Sequence, residues 1–184
     1  MLNIEHTSLE GVLILTPRRV GDDRGFFSEV YNKIRYADAG ITADFIQDNH
    51  SLSRAAGTIR GLHFQRPPFS QAKLVRVLRG AILDVVIDLR RAAPTFGRHV
   101  CVTLSAAAWN QIYVPVGFAH GFCTLEPDTE VFYKVDAYYS AAHDAGILWN
   151  DPALGISWPV DAGTARLSDK DKRLPRLGEL AEIF

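Results

Sequence analysis

The chain has 184 residues, enough for one well-buried domain and too few for a second independent core. Hydrophobic residues make up 47% and charged residues 22%, an ordinary globular balance, and the formal net charge of −1 excludes the basic excess of a nucleic-acid-binding surface. No apolar run approaches the ~18 residues of a membrane helix.

Strand-like runs dominate from the start. "GVLILTP" (11–17), "RGFFSEVYN" (24–32), "DFIQD" (44–48), "TIRGLHFQ" (58–65), "AKLVRVLRG" (72–80) and "AILDVVIDLR" (81–90) come first. "RHVCVTLS" (98–105), "NQIYVPVG" (110–117), "HGFCTL" (120–125) and "EVFYKVDAYYS" (130–140) follow. They are rich in Val, Ile, Phe and Tyr and are punctuated by Gly, Pro, Asp or Asn, which predicts an all-β sandwich or barrel. Helical pattern is confined to "NKIRYADAG" (32–40), stopped by Gly40, and "PRLGELAEIF" (175–184), whose Leu and Ile residues would pack on a sheet. Residues 141–170, with two tryptophans, read as an ordered, loop-rich cover, and residues 1–184 as a single domain. Cys101 and Cys123 make no CxxC or zinc pattern and sit in apolar runs, so both are expected to be small buried residues. "MLNIEHTSLEGVLILTP" has no basic segment ahead of an apolar stretch, which is not how a signal peptide begins, and the expected location is the cytoplasm.

Chemistry concentrates at a few positions. Alternation in "IRGLHFQ" puts Gly61, His63 and Gln65 on one face and Arg60, Leu62 and Phe64 on the other. A bulge at Gly61 would turn Arg60 back toward the His63 side. His120 lies in "VPVGFAHGF" (114–122), framed by Phe118 and Phe122. Each histidine alone reads as a satisfied core residue; together, on separate strands of a barrel-like fold, they suggest one site. A metal is not called for, because His63 has no His-x-His neighbour, although His63, His120 and a carboxylate would suffice for a facial triad. Lys73 shares a face with Val75 and Val77, where an ammonium out of water stabilises a developing oxyanion. Tyr133 alternates with Val131 and Val135 and is either a core aromatic or a proton donor opposite a histidine base. Fifteen of the 20 basic residues are arginines, which suits bidentate phosphate binding and is equally what codon bias produces.

From end to end the chain resembles the dTDP-4-dehydrorhamnose 3,5-epimerases. The likeness is carried by "DDRGFFSEVYN", "FIQDNHSLS", "IRGLHFQ", "QAKLVRVLRG", "DVVIDLR", "VPVGFAHGF", "FYKVDAYYS", "GILWNDPALGISWP" and "LSDKD" in this order and spacing. The resemblance implies a jelly roll of the cupin type without metal or cofactor, working as a homodimer with strands exchanged, on a dTDP-linked 4-keto-6-deoxyhexose. It implies His63 as the base, Asp171 as its partner, Lys73 on the enolate oxygen and Tyr133 as the acid on the opposite face. A buried carboxylate partner orients the imidazole and favours its protonated form. The substrate-binding set implied is Arg24, Glu29, Gln47, Asp48, Asn49, Arg60, His120, Asp144 and Lys170. At Asp144 the family usually has Glu, so the carboxylate is kept but shortened. From the residues themselves, Asp84 and Asp88 read as groups satisfying backbone or arginine, Glu29 as a sheet-edge charge, and Asp48 and Asn49 as turn residues. The alternatives are epimerisation at C3 only, a metal-dependent cupin enzyme, and a non-catalytic sugar-nucleotide-binding jelly roll.

Overall fold

The computed structural model describes residues 2–181 and 184. The chain opens with β1 (Leu2–His6), β2 (Leu13–Pro17) and the short hairpin β3 (Val20–Asp22) and β4 (Gly25–Phe27). The helix α1 (Lys33–Asp38) precedes β5 (Gln47–Ser53), β6 (Ile59–Gln65), β7 (Lys73–Arg79) and β8 (Ala81–Asp88). Then come β9 (His99–Ser105), β10 (Gln111–Val114), β11 (Phe118–Thr124), β12 (Thr129–Val135) and β13 (Asp144–Gly146). Two antiparallel sheets result, ordered β1-β2-β10-β7-β12-β5 and β13-β6-β11-β8-β9. They face each other as a jelly roll, the all-β class expected.

The core between the sheets follows from alternation. Val75 and Val77 of β7, Ile112 of β10 and Val131 of β12 meet Ile82 and Val86 of β8 and Phe118 and Phe122 of β11. The other face of the second sheet buries Leu62, Phe64, Val85, Ile87 and Ala119 under Ile147, Leu154 and C-terminal side chains. Leu62 and Phe64 thus point away from the interior, and His63 between them points in. At the bulge His120 faces His63 and Phe122 faces Arg60, so two residues of β6 oppose Gly121. Gly61, at φ +136°, lets the strands close up; a Cβ there would stand 2.6 Å from the Cα of Gly121.

Several elements depart from the sequence reading. Strand structure in 24–32 is confined to Gly25–Phe27, which pairs with the three residues of β3 across a turn where the Asp22 carboxylate accepts from the Arg24 N–H at 2.9 Å. The strand expected over 44–48 starts at Gln47 and runs on to Ser53, each of its residues paired with β12, so Asp48 and Asn49 are not turn residues. β12 ends at Val135 rather than running to 140. The edge strands β1 and β13 were not legible. Cys101 is exposed, since β9 is the last strand of its sheet and only its alternate neighbours Val100 and Val102 turn inward. In place of a helix over 175–184 there is a single 3₁₀ turn, Leu177–Glu179; Glu182 and Ile183 lie outside the described residues. Gly178, in the interior of that segment, disfavours a longer helix.

The helix at 33–38 is present, with Asn32 Oδ1 accepting from the N–H groups of Ile34 and Arg35 and Gly40 at φ +84° ending it. The cover is present too: Trp149 packs on Ile59 and Cys123, and Trp158 Nε1 donates to the Trp149 carbonyl at 2.8 Å. Among the described residues no helix is long and apolar enough to cross a membrane.

Candidate active site

At one end of the sandwich the inward apolar rows give way to polar side chains. On β7 the row Val77, Val75 ends in Lys73; on β11 His120 separates Phe118 from Phe122; on β12 Tyr133 lies between Val131 and Val135. The inward face of β5 is polar throughout, because Gln47, Asn49, Ser51 and Ser53 alternate with outward Asp48, His50 and Leu52. The space enclosed is a cavity of about 540 Å³, lined among others by Arg60, His63, Lys73, His120, Tyr133 and Asp171. A second cavity of about 220 Å³ shares His63, Lys73, Tyr133 and Lys170 with it and is lined by the amides of Gln47, Asn49, Gln65 and Gln71.

His63 Nε2 lies 2.6 Å from Asp171 Oδ1. Asp171 comes from the 3₁₀ turn Asp171–Arg173, its own N–H donating to Ser168 Oγ at 3.1 Å. Burial alone would push its carboxyl up; the hydrogen bond and charge of His63, with Ser168 and the Gly61 N–H, outweigh this and hold it below the usual carboxylate range. An ionised Asp171 accepts a hydrogen bond from the Nε2–H of a neutral imidazole and so leaves the lone pair on Nδ1. A second imidazole–carboxylate pair lies alongside, His120 Nε2 to Asp84 Oδ2 at 2.8 Å, both residues buried.

Lys73 Nζ donates to the His63 carbonyl at 3.4 Å. Burial lowers its pKa to about 8, against the opposing pull of the Asp84 and Asp144 carboxylates. Burial raises the Tyr133 phenol, opposed by Arg60, so the phenol keeps its proton at neutral pH. Arg60 is fixed by Nε on Ser53 Oγ and Nη2 on the Leu52 carbonyl, both at 3.1 Å. Lys170 is paired with Asp144, which also accepts from Tyr139 Oη at 3.1 Å.

Of the residues singled out in the sequence, His63, Lys73, Tyr133, Asp171, Arg60, His120 and Lys170 line the larger cavity, and Gln47, Asn49 and Asp144 line the smaller. Three do not reach either cavity. Arg24 sits on the β3–β4 turn with its side chain 86% exposed, paired with Asp22. Glu29 pairs with Arg35 at 2.9 Å beside a separate pocket. Asp48 points outward from β5 and binds Lys134 at 2.8 Å. Asp88 holds Arg90 and Thr95, as its structural reading has it, whereas Asp84 is tied to the cavity through His120. Ser51, Phe122, Arg166 and Ser168 line the cavity without having been singled out; the parity of β5 identifies Ser51, but nothing in the sequence marked Arg166.

Each imidazole uses Nε2 on a carboxylate of its own, and among the described residues no three His, Cys, Asp or Glu side chains come together as a metal would need. An imidazole held by a carboxylate, a buried ammonium and a neutral phenol thus share one cavity, groups whose chemistry suits proton transfer. The fold and site together define a cupin-type jelly roll equipped for acid–base chemistry.

The sequence profile of the dTDP-4-dehydrorhamnose 3,5-epimerases matches residues 6–179. The chain is 49% identical over 177 residues to a dTDP-4-dehydrorhamnose 3,5-epimerase of Sinorhizobium fredii, covering 96% of this chain and 90% of that one. It superposes on the Bacillus anthracis enzyme, crystallised with TDP and pyrophosphate, with a TM-score of 0.93 at 53% identity, covering 96% of this chain and 99% of the other. The Legionella pneumophila enzyme, in complex with dTDP-4-keto-L-rhamnose, gives a TM-score of 0.94 at 40% identity over 98% of this chain and 95% of the other. The chain belongs to the dTDP-4-dehydrorhamnose 3,5-epimerase family.

Proposed function

We propose that this protein inverts C3 and C5 of dTDP-4-dehydro-6-deoxy-D-glucose, giving dTDP-4-dehydro-L-rhamnose. The observation that carries the reading is the His63–Asp171 pair at 2.6 Å in a cavity shared with Lys73 and Tyr133. His63 Nδ1 takes the proton from C3; the C–H electrons move into the C3–C4 bond and the C4 carbonyl becomes an enolate. The Lys73 ammonium, protonated at neutral pH because its pKa of about 8 lies above, holds the enolate oxygen. Tyr133 then delivers its phenolic proton to the opposite face of C3, the enolate reverts to the ketone, and the centre is inverted. The imidazolium loses its proton to water and the phenolate takes one, so both groups are reset for C5.

Gln47 and Asn49 offer amides to the base or sugar, and Arg60 offers a guanidinium to the diphosphate. His120, held by Asp84, bounds the sugar site. Arg24 and Glu29 enter through a homodimer. The exposed apolar side chains of the β3–β4 hairpin, Val20 at 56%, Phe26 at 55% and Phe27 at 74%, support strand exchange that brings the partner's hairpin to the nucleotide end. Residues 1–184 act as one jelly-roll domain in the cytoplasm, with no cofactor. The test is ¹H NMR of dTDP-4-dehydro-6-deoxy-D-glucose incubated with the protein. Ring couplings of the L-rhamno product support the reading. An unchanged sugar with the ligand demonstrably bound refutes it in favour of a binding protein, and inversion at C3 alone makes it a monoepimerase.

A further inference from the structure

We propose that Arg166 is a further ligand contact of the larger cavity, adding a second guanidinium to the Arg60 already proposed for the diphosphate. Arg166 is fixed from its backbone. Its N–H donates to the Gly57 carbonyl at 3.0 Å and its carbonyl accepts from the Ile59 N–H at 2.9 Å, forming a parallel bridge with Thr58 just where the chain enters β6. Its neighbours Ala165 and Leu167 pack toward Ile59, Cys123 and Trp149, while its own side chain lines the cavity that also holds Arg60.

Charge then decides what this end of the cavity takes. Arg166 has no side-chain hydrogen bond or ion pair among the described residues, and Arg60 spends Nε and Nη2 on Ser53 and Leu52 but leaves Nη1 unengaged. Asp171 is the cavity's one carboxylate among the described residues; its side chain is only 5% exposed, and it is bonded to His63. Two guanidinium groups without counter-charge, with the hydroxyls of Ser51 and Ser168 in the same wall, suit a dianionic or more highly charged oxyanion. A neutral hexose gives such a pair nothing to neutralise, whereas a diphosphate does. The diphosphate has two sources, the nucleotide of the substrate or free pyrophosphate. The first of these rests on the function proposed above.

Isothermal titration calorimetry of the full chain with dTDP, thymidine and inorganic pyrophosphate separates them, comparing wild type with Arg166→Gln and Arg166→Lys. Arg166→Gln is expected to weaken dTDP about tenfold and leave thymidine unchanged, with partial recovery in Arg166→Lys. That result assigns the subsite to the nucleotide's diphosphate. Loss of pyrophosphate binding with dTDP already saturating assigns it to the free ion. Affinities for dTDP and pyrophosphate both within twofold of wild type in Arg166→Gln overturn the subsite. These binding readouts do not depend on turnover, so a wild-type protein that fails to epimerise refutes the activity without touching this result.

Discussion

Replacing Asp171 by Asn keeps the shape of the side chain and removes the charge that faces His63. When His63 takes a proton it becomes an imidazolium whose Nε2 lies 2.6 Å from Asp171 Oδ1. With charge centres about 4 Å apart and an effective dielectric near 20, the attraction is about 4 kcal/mol. The Asp171 side chain is 5% exposed and that of His63 31%, so solvent screens only part of it. A loss of ~3–4 kcal/mol in transition-state stabilisation is expected, about 10²–10³ in kcat, in a protein that still folds and binds dTDP with near wild-type affinity. The sign with pH is set by the depressed carboxyl of Asp171: its contribution is complete above the ordinary carboxylate range and is lost only as pH falls through its lowered value. Initial rates by NMR at neutral pH, with circular dichroism to establish folding, measure the effect. A folded Asp171→Asn protein with kcat within about fivefold of wild type would refute the pairing argument.

Lys73, with a pKa of about 8, loses its proton as pH rises through that value, so kcat/KM of the wild type is expected to fall on the alkaline side. Lys73→Arg keeps its charge there and is expected to lose this limb at a lower overall rate; coincident alkaline limbs would contradict the role of the ammonium. Asp88 is buried, and burial would raise its carboxyl, but the Arg90 guanidinium and the Thr95 hydroxyl hold it below the usual range. Asp88→Asn should cost ~3 kcal/mol in urea unfolding at pH 7, a gap complete above the ordinary carboxylate value and closing as pH falls below it; a gap under about 1 kcal/mol at pH 7 would count against this. Gly61→Ala places a Cβ 2.6 Å from the Cα of Gly121 and 3.1 Å from the His120 carbonyl, at a φ of +136°. It should lose ~2–4 kcal/mol of stability and most activity, since the strands pushed apart carry His63 and His120, and wild-type stability would show that the close approach is unimportant.

The parts of this structure legible from the sequence are those where period-2 alternation meets a buried face. β6, β7, β8 and β11 announce themselves, and with them the inward side of His63 and Lys73. The sequence places β5 too early because its inward residues are Gln47, Asn49, Ser51 and Ser53, polar side chains of which the first three face a cavity rather than the core. A strand whose inner face is polar gives no hydrophobic signal. β1 and the three-residue β13 are edge strands, where one neighbour supplies all the pairing and the sequence is under little constraint. The pairing of His63 with Asp171 spans 108 positions and that of His120 with Asp84 spans 36, so no local pattern holds either. Family resemblance implies the first; the second depends on the pairing of β8 with β11. Arg166 was silent because its position depends on a backbone bridge to Thr58 that no side-chain pattern encodes.

The proposed chemistry has His63 take protons from carbon on both sides of the C4 ketone. It is tested most directly by NMR of dTDP-4-dehydro-6-deoxy-D-glucose incubated in deuterated water with wild type, His63→Ala and Tyr133→Phe. Deuterium is expected at C3 and C5 with wild type, at neither carbon with His63→Ala although dTDP still binds, and without inversion with Tyr133→Phe. Deuterium entering at C3 and C5 with the His63→Ala protein would contradict it.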